Sequence, residues 1–183
     1  MTKVLIVDDD KLFSHMLAER LTREFAPTQL QVKQAATAES AQSMLQTRNS
    51  GFDIALVDHR LGPGINGLAL LEWLYHQDLP IDSVLFTGLD EPEIGMHAYE
   101  VGAFRYLIKP FDPHELIWIV KALIKKRADN YERNWLTILN QVGAKLQQVT
   151  TLADMGQALV EGGVNLGFER VELYKVQRNE KAE

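Results

Sequence analysis

No cysteine occurs among the 183 residues, which excludes disulfides, thiolate metal sites and cofactor attachment through sulfur in this chain. No apolar run approaches the ~20 residues of a membrane-spanning helix. The four apolar residues Val4 to Val7 that follow Met1-Thr2-Lys3 are too few for a secretory leader. A soluble cytoplasmic protein with no membrane partner is the expectation. An excess of positive charge is also missing: 19 Lys and Arg stand against 25 Asp and Glu, a net charge of -6. That balance argues against a protein whose work is holding phosphate backbones. With no helix-turn-helix pattern either, no nucleic-acid contact is expected. Proline is sparse, six in all, and the last is Pro113.

What is present is a repeated unit. Lys3 to Val7 is a short apolar run that ends in Asp8-Asp9-Asp10 and leads into Phe13, Leu17 and Leu21 at helical spacing. Leu30 and Val32 alternate as in a strand, Thr37 can cap a helix, and Ala38, Ala41 and Leu45 mark one face of it. Ile54 to Val57 are all apolar, as a central strand covered on both faces requires; Asp58 ends that run. After the Gly62-Pro63-Gly64 loop, Asn66 can cap a helix bearing Leu68, Leu71, Leu74 and Tyr75. Ser83 to Phe86 is a fourth strand running into Thr87. Glu91 to Val101 predicts a poor, mobile helix with Gly95 inside it and Gly102 after it. Phe104 to Ile108 is a fifth strand that ends in Lys109-Pro110. Pro113 stands in the first turn of the next helix.

Five strand-helix units in about 125 residues predict a doubly wound α/β domain, one parallel sheet with helices on both faces. In such sheets ligands gather at the carboxyl ends of the strands. Asp8 and Asp9 follow the first strand, Asp58 the third, Thr87 the fourth and Lys109 the fifth, so all five residues should meet at one edge. Singly, each has an ordinary explanation as a helix cap, a turn hydroxyl or a surface lysine. Jointly they do not. Three close carboxylates repel and call for a cation, and an all-oxygen donor set suits Mg²⁺. The lysine and the hydroxyl add donors for a tetrahedral anion, and a carboxylate nucleophile would form an acyl phosphate on the protein itself, a switch and not a released product.

These motifs resemble the receiver domain of two-component response regulators over residues 1 to about 125. Val7-Asp8-Asp9-Asp10 is similar to that family's acidic pair, Leu56-Val57-Asp58 to its phosphoacceptor strand, Phe86-Thr87-Gly88 to its switch threonine, and Lys109-Pro110-Phe111 to its lysine motif. The resemblance implies a flavodoxin-like sheet in the order 2-1-3-4-5 and Asp58 as phosphoacceptor. It implies Mg²⁺ held by Asp8, Asp9, Asp58 and the Arg60 backbone carbonyl, and Thr87 and Lys109 on the phosphoryl oxygens. Tyr106 would be the switch aromatic, and the Lys109-Pro110 bond would be cis. The donor would be a sensor histidine kinase or a phosphotransfer protein. A released-product enzyme is not implied.

Two departures from the family pattern stand out. The loop Leu61-Gly62-Pro63-Gly64 is one residue longer than usual, which can shift the start of the third helix. Arg60 and Leu89 occupy the two positions that tune phosphoryl lifetime, and this bulky pair is expected to lengthen it. One alternative is an Mg²⁺-dependent phosphohydrolase of haloacid dehalogenase type, with Asp8 as nucleophile and Asp10 as acid. It lacks a further acidic pair, for which Asp112 and Glu115 are poor substitutes, and Leu12 stands where threonine or valine is expected. Another is a module that dimerises without phosphorylation.

From Pro113 to Val149 there is no further proline and no glycine before Gly143, which predicts one helix of 30 or more residues, roughly 55 Å long. Leu116, Ile119 and Leu123 should face the sheet. A second stripe, Ile117, Val120 and Ile124, continues through Ala128, Tyr131, Trp135, Leu139, Val142 and Leu146. Its 3-4-4 spacing favours a nearly straight parallel pairing, so a homodimer through residues 113–149 is expected. The competing expectation is a helix folded back at Lys125 to Asn130. Residues 126–149 would be an extended linker helix, and 150–183 a second small segment with Leu152, Met155 and Leu159, a Gly162-Gly163 break and a strand from Glu169 to Val176. Leu166 to Tyr174 resembles the opening of a GAF domain, so the chain reads as cut at a domain boundary.

Overall fold

The computed structural model describes residues 1–46, 50–88, 92–148 and 150–165. Its element order is β1 (Thr2–Val7), α1 (Lys11–Glu24), β2 (Leu30–Ala35), α2 (Ala38–Leu45), β3 (Ile54–Asp58), α3 (Gly67–His76), β4 (Asp82–Thr87), α4 (Pro92–Glu100), β5 (Arg105–Ile108), α5 (Pro113–Gln147) and α6 (Leu152–Asn165). The five strands form one parallel sheet in the order β2-β1-β3-β4-β5. The chain divides into two compact units, Met1–Ile124 and Lys125–Glu183. No described helix is long and apolar enough to cross a membrane.

The sheet is sealed on both sides because successive side chains of a strand point to opposite faces. Val4, Ile6, Ile54, Leu56, Val84 and Phe86 pack with Leu17 and Leu21 of α1 and with Leu116, Ile119, Val120 and Leu123 of α5. Leu5, Val7, Ala55, Val57 and Leu85 pack with Ala41 and Leu45 of α2, Leu70, Leu71 and Leu74 of α3, and Ala98 of α4. Each fully buried Leu, Ile or Phe contributes about 1.5–3 kcal/mol relative to an exposed one. That rigid double-sided core fixes the heights at which the strands end.

Local signals start the helices. Asp10 caps α1, its side chain accepting from the N–H groups of Leu12 and Phe13 at 3.0 Å each. Thr37 caps α2 through the N–H of Ser40, and Asn66 caps α3 through the N–H of Ala69 at 2.8 Å. The loop before α3 delivers the helix to Asn66 as the capping signal predicts.

Several expectations fail for identifiable reasons. On α3, Leu70 is buried and Tyr75 is 59% exposed, because the helix packs on its neighbours through Leu70, Leu71 and Leu74 and leaves the aromatic outside. Ile117 and Val120, assigned to a stripe free for a partner, are buried in the first unit. α5 is embraced there over a wider arc than one stripe. The inner glycine of α4 has a packing reason: a Cβ on Gly95 would lie 3.2 Å from the Tyr106 ring. α5 is a single helix over Pro113–Gln147, residues 125–130 included.

In the second unit α6 continues to Asn165 through the expected Gly162-Gly163 break. A Cβ on Gly162 would overlap Val142 of α5. The glycine therefore lets two helices approach, and helical hydrogen bonding carries through it. Lys145 and Glu161 close this hairpin with a 2.7 Å ion pair, and Ile138 and Ala158 are buried. Tyr131 and Leu139 remain 65% and 50% exposed. The strand expected at 169–176 and the GAF-like passage lie outside the described residues.

Candidate functional site

Register brings the site together. Val7 pairs with Val57 across β1 and β3, Asp58 with Phe86 across β3 and β4, and Thr87 with Ile108 across β4 and β5. The residues that follow or end these strands therefore share one edge. Asp8, Asp58 and Thr87 are buried, whereas Asp9 is exposed. One carboxylate oxygen from each of Asp8, Asp9 and Asp58 lies within 4.8 Å of the others. The Nζ of Lys109 reaches into this group, 2.9 Å from Asp8 Oδ2 and 2.6 Å from Asp58 Oδ1.

Each carboxylate is aimed by a backbone donor. The N–H of Asp10 donates to Asp8 Oδ1, and the N–H of Arg60 donates to Asp58 Oδ2, both at 2.9 Å. Lys109 is held by its own backbone N–H, which donates to the Thr87 carbonyl at 2.6 Å. Its ammonium lies 4.1 Å from the centre of the Phe13 ring, a cation–π contact that shields one side of the charge. The Lys109-Pro110 bond is cis, as the resemblance implies.

Burial pushes the Asp8 carboxyl above its ordinary value, and the hydrogen bond and charge of Lys109 offset this only in part. Burial also pulls Lys109 down, but the hydrogen bonds and charges of Asp58 and Asp8 outweigh it and hold the ammonium above its ordinary value. A single cation shared between two acids leaves the deeper one undercompensated. The donor set fits a hard divalent cation: three clustered carboxylates supply only oxygen, and Asp9 is exposed on the open side.

The other site residues predicted from sequence fall as follows. Asp10 does not join the cluster, since its side chain caps α1, which removes the acid that the phosphohydrolase alternative needs. Arg60 is exposed at the start of the β3–α3 loop. Tyr106 is half-buried on β5 against α4. Leu89 lies outside the described residues.

Two neighbours were missed. Phe13 reads as a core position of α1, and only the fold places its ring under Lys109. At Gly67 a Cβ would overlap the Asp58 carbonyl oxygen, so only glycine lets α3 start against the end of β3. The available signal is a glycine inside the first turn of a helix, where it has no conformational use.

Comparison with known proteins agrees with this fold. Residues 4–121 match the family model of the response regulator receiver domain. The heme response regulator HssR of Staphylococcus saprophyticus is 34% identical over 126 residues, 69% of this chain and 53% of that protein. Its namesake in Staphylococcus haemolyticus is 30% identical over 175 residues, 94% of this chain and 70% of that protein. The chain thus spans about half the length of the first of these relatives. Among solved structures, a CheY-like receiver domain protein from Methanospirillum hungatei superposes with a TM-score of 0.63 at 26% identity, covering 71% of this chain and 98% of that one. The Francisella response regulator 1452 receiver domain gives 0.59 at 28% identity, covering 69% and 99%.

The charge balance at Asp8 is open to measurement. Because its folded-state value is raised, Asp8 costs stability that is absent below the usual carboxylate value of 3.8, grows as pH rises through the folded value, and is complete above it. Asp8→Asn should therefore stabilise the fold at neutral pH by about 1 kcal/mol, and the advantage should vanish in acid. Chemical denaturation of both proteins across pH checks this; a variant less stable at neutral pH would contradict it.

Proposed function

We propose that this chain, which belongs to the response regulator receiver domain family, is a phosphoacceptor switch that takes a phosphoryl group on Asp58 and passes the change on through α5. Receiver domains of this family receive phosphoryl groups from sensor kinases and bind Mg²⁺ at an acidic pocket. The observation that carries the reading is the Lys109 ammonium joining Asp8 and Asp58 beside Asp9 at the carboxyl edge of the sheet.

In this reading the donor is a histidine kinase or a phosphotransfer protein. An Asp58 oxygen attacks the phosphorus, the phosphorus–nitrogen bond of the donor breaks, and the imidazole keeps the electron pair. Asp8, Asp9, Asp58 and the Arg60 carbonyl would hold Mg²⁺, which supplies charge neutralisation for the transferring group. Lys109 and the Thr87 hydroxyl hold phosphoryl oxygens, and Tyr106 turns inward as Thr87 moves. Arg60, exposed beside Asp58, hinders the attacking water and lengthens the acyl phosphate's life. The chain acts as a switch and not as a turnover enzyme.

The exposed Tyr131 and Leu139 support pairing of α5 with a second copy. The output would lie downstream, consistent with relatives longer than this chain. The resemblance to a GAF opening makes such a domain the candidate.

Incubation with acetyl phosphate and Mg²⁺ should add one acid-labile phosphate per wild-type chain and none to Asp58→Asn, and Arg60→Ala should shed it faster than wild type. Equal incorporation into Asp58→Asn would overturn the assignment. Absence of phosphate from the wild type, with dimerisation intact, would leave the dimerisation module as the better description. Sedimentation should give twice the chain mass; a monomer mass independent of concentration would refute the pairing.

A further inference from the structure

The β3–α3 loop is pinned from outside the acidic pocket. It begins at Asp58, carries Arg60, turns at Gly62 and Gly64 with φ of 71° and 121°, and ends at the Asn66 cap. Leu61 is buried in the core and fixes the near side of the loop. The Gly67 N–H donates to the His59 carbonyl at 2.9 Å and fixes the far side. Between them the tip meets the side chain of Glu39. Oε1 of Glu39, in the first turn of α2, accepts from the N–H of Ile65 at 3.3 Å. The same oxygen would lie 2.8 Å from a Cβ on Gly64, so a side chain there would push the carboxylate aside.

The tip communicates with the acidic pocket through the loop itself. A Cβ on Gly62 would sit 3.4 Å from Asp9 Oδ2, so the backbone at Gly62 forms a wall beside that carboxylate. Arg60, whose N–H holds Asp58 Oδ2, is two residues away. Glu39 is itself well placed: its own backbone N–H, the Ile65 N–H and the Thr37 hydroxyl hold its carboxyl below the usual range. A side chain on α2 that touches none of the reacting groups thus sets the seat of the loop that does.

We infer that Glu39 is a positioning residue for the Asp58 site, a latch from α2 onto the β3–α3 loop that fixes the Arg60 backbone and the wall beside Asp9. This rests on the reading of Asp58 as an Mg²⁺-dependent phosphoacceptor. What the latch needs is reach and an acceptor oxygen, not charge.

The test uses the full chain and three variants. Glu39→Gln keeps an acceptor at the same reach, Glu39→Asp keeps the charge and loses the reach, and Glu39→Ala loses both. Calorimetric titration with MgCl₂ alone gives the Mg²⁺ affinity, and acyl phosphate decay after acetyl phosphate loading gives the reaction readout. Outer-shell partners of metal ligands cost about 10–100-fold when removed. Glu39→Ala and Glu39→Asp should bind Mg²⁺ about tenfold more weakly than wild type and decay at an altered rate, while Glu39→Gln stays within about twofold. Wild-type affinity and decay in both Glu39→Ala and Glu39→Asp would overturn the latch while leaving the phosphoacceptor intact. Loss in Glu39→Gln with retention in Glu39→Asp would overturn it in favour of a simple charge effect. A wild-type chain that bound no Mg²⁺ and took no phosphate would instead refute the function on which the inference rests.

Discussion

The ammonium of Lys109, shared between the buried carboxylates of Asp8 and Asp58, is the interaction on which the rest of the structure depends. Two acids at the end of a dry sheet core repel each other, and a charge left uncompensated there costs several kcal/mol. Lys109 makes the arrangement tolerable without making it comfortable, as the raised Asp8 carboxyl indicates. A site in this condition is poised to accept a second cation and an anionic group together. The resting structure therefore already holds the electrostatic demand that phosphoryl transfer would answer.

Holding the three groups in register requires a scaffold that cannot yield. The alternating burial of β1, β3 and β4 places their ends by packing on both faces, and the backbone N–H groups of Asp10 and Arg60 aim the carboxylates. Gly67 lets α3 begin against the carbonyl of Asp58. On the far side of β4, the ring of Tyr106 lies 3.2 Å from where a Cβ at position 95 would stand. The start of α3 against β3 and the packing of α4 on β5 thus each rest on a glycine whose place a larger residue would crowd.

Much of this was legible in the sequence because its causes are local or periodic. The apolar runs that end at Asp8, Asp58 and Thr87, and the shorter strand before Lys109, mark the strand ends. The capping signals at Thr37 and Asn66 mark helix starts, and the family motifs agree with both. What was not legible depends on what packs against what. Tyr75 and Leu70 lie on adjacent arcs of α3, and spacing alone does not say which one the neighbours cover. Gly95 and Gly162 read as helix breakers until a ring is seen 3.2 Å from the absent Cβ of the first and a valine overlapping that of the second. Ile117 and Val120 were assigned outward because a stripe was extrapolated through the point where α5 leaves one unit for the other. Glu39 was invisible as a loop partner because its contact spans 26 residues and ends on backbone.

The shared-cation arrangement is tested most directly by a double-mutant cycle between Asp8→Asn and Lys109→Met, read as unfolding free energy at neutral pH. Lys109→Met alone should cost about 2–3 kcal/mol, below the full value for breaking a buried pair because the lysine is a quarter exposed. In the Asp8→Asn background the same change should cost at least about 1 kcal/mol less, since only one acid is then left unpaired. Additivity of the two substitutions within about 0.3–0.5 kcal/mol would mean that Lys109 does not hold the two carboxylates together.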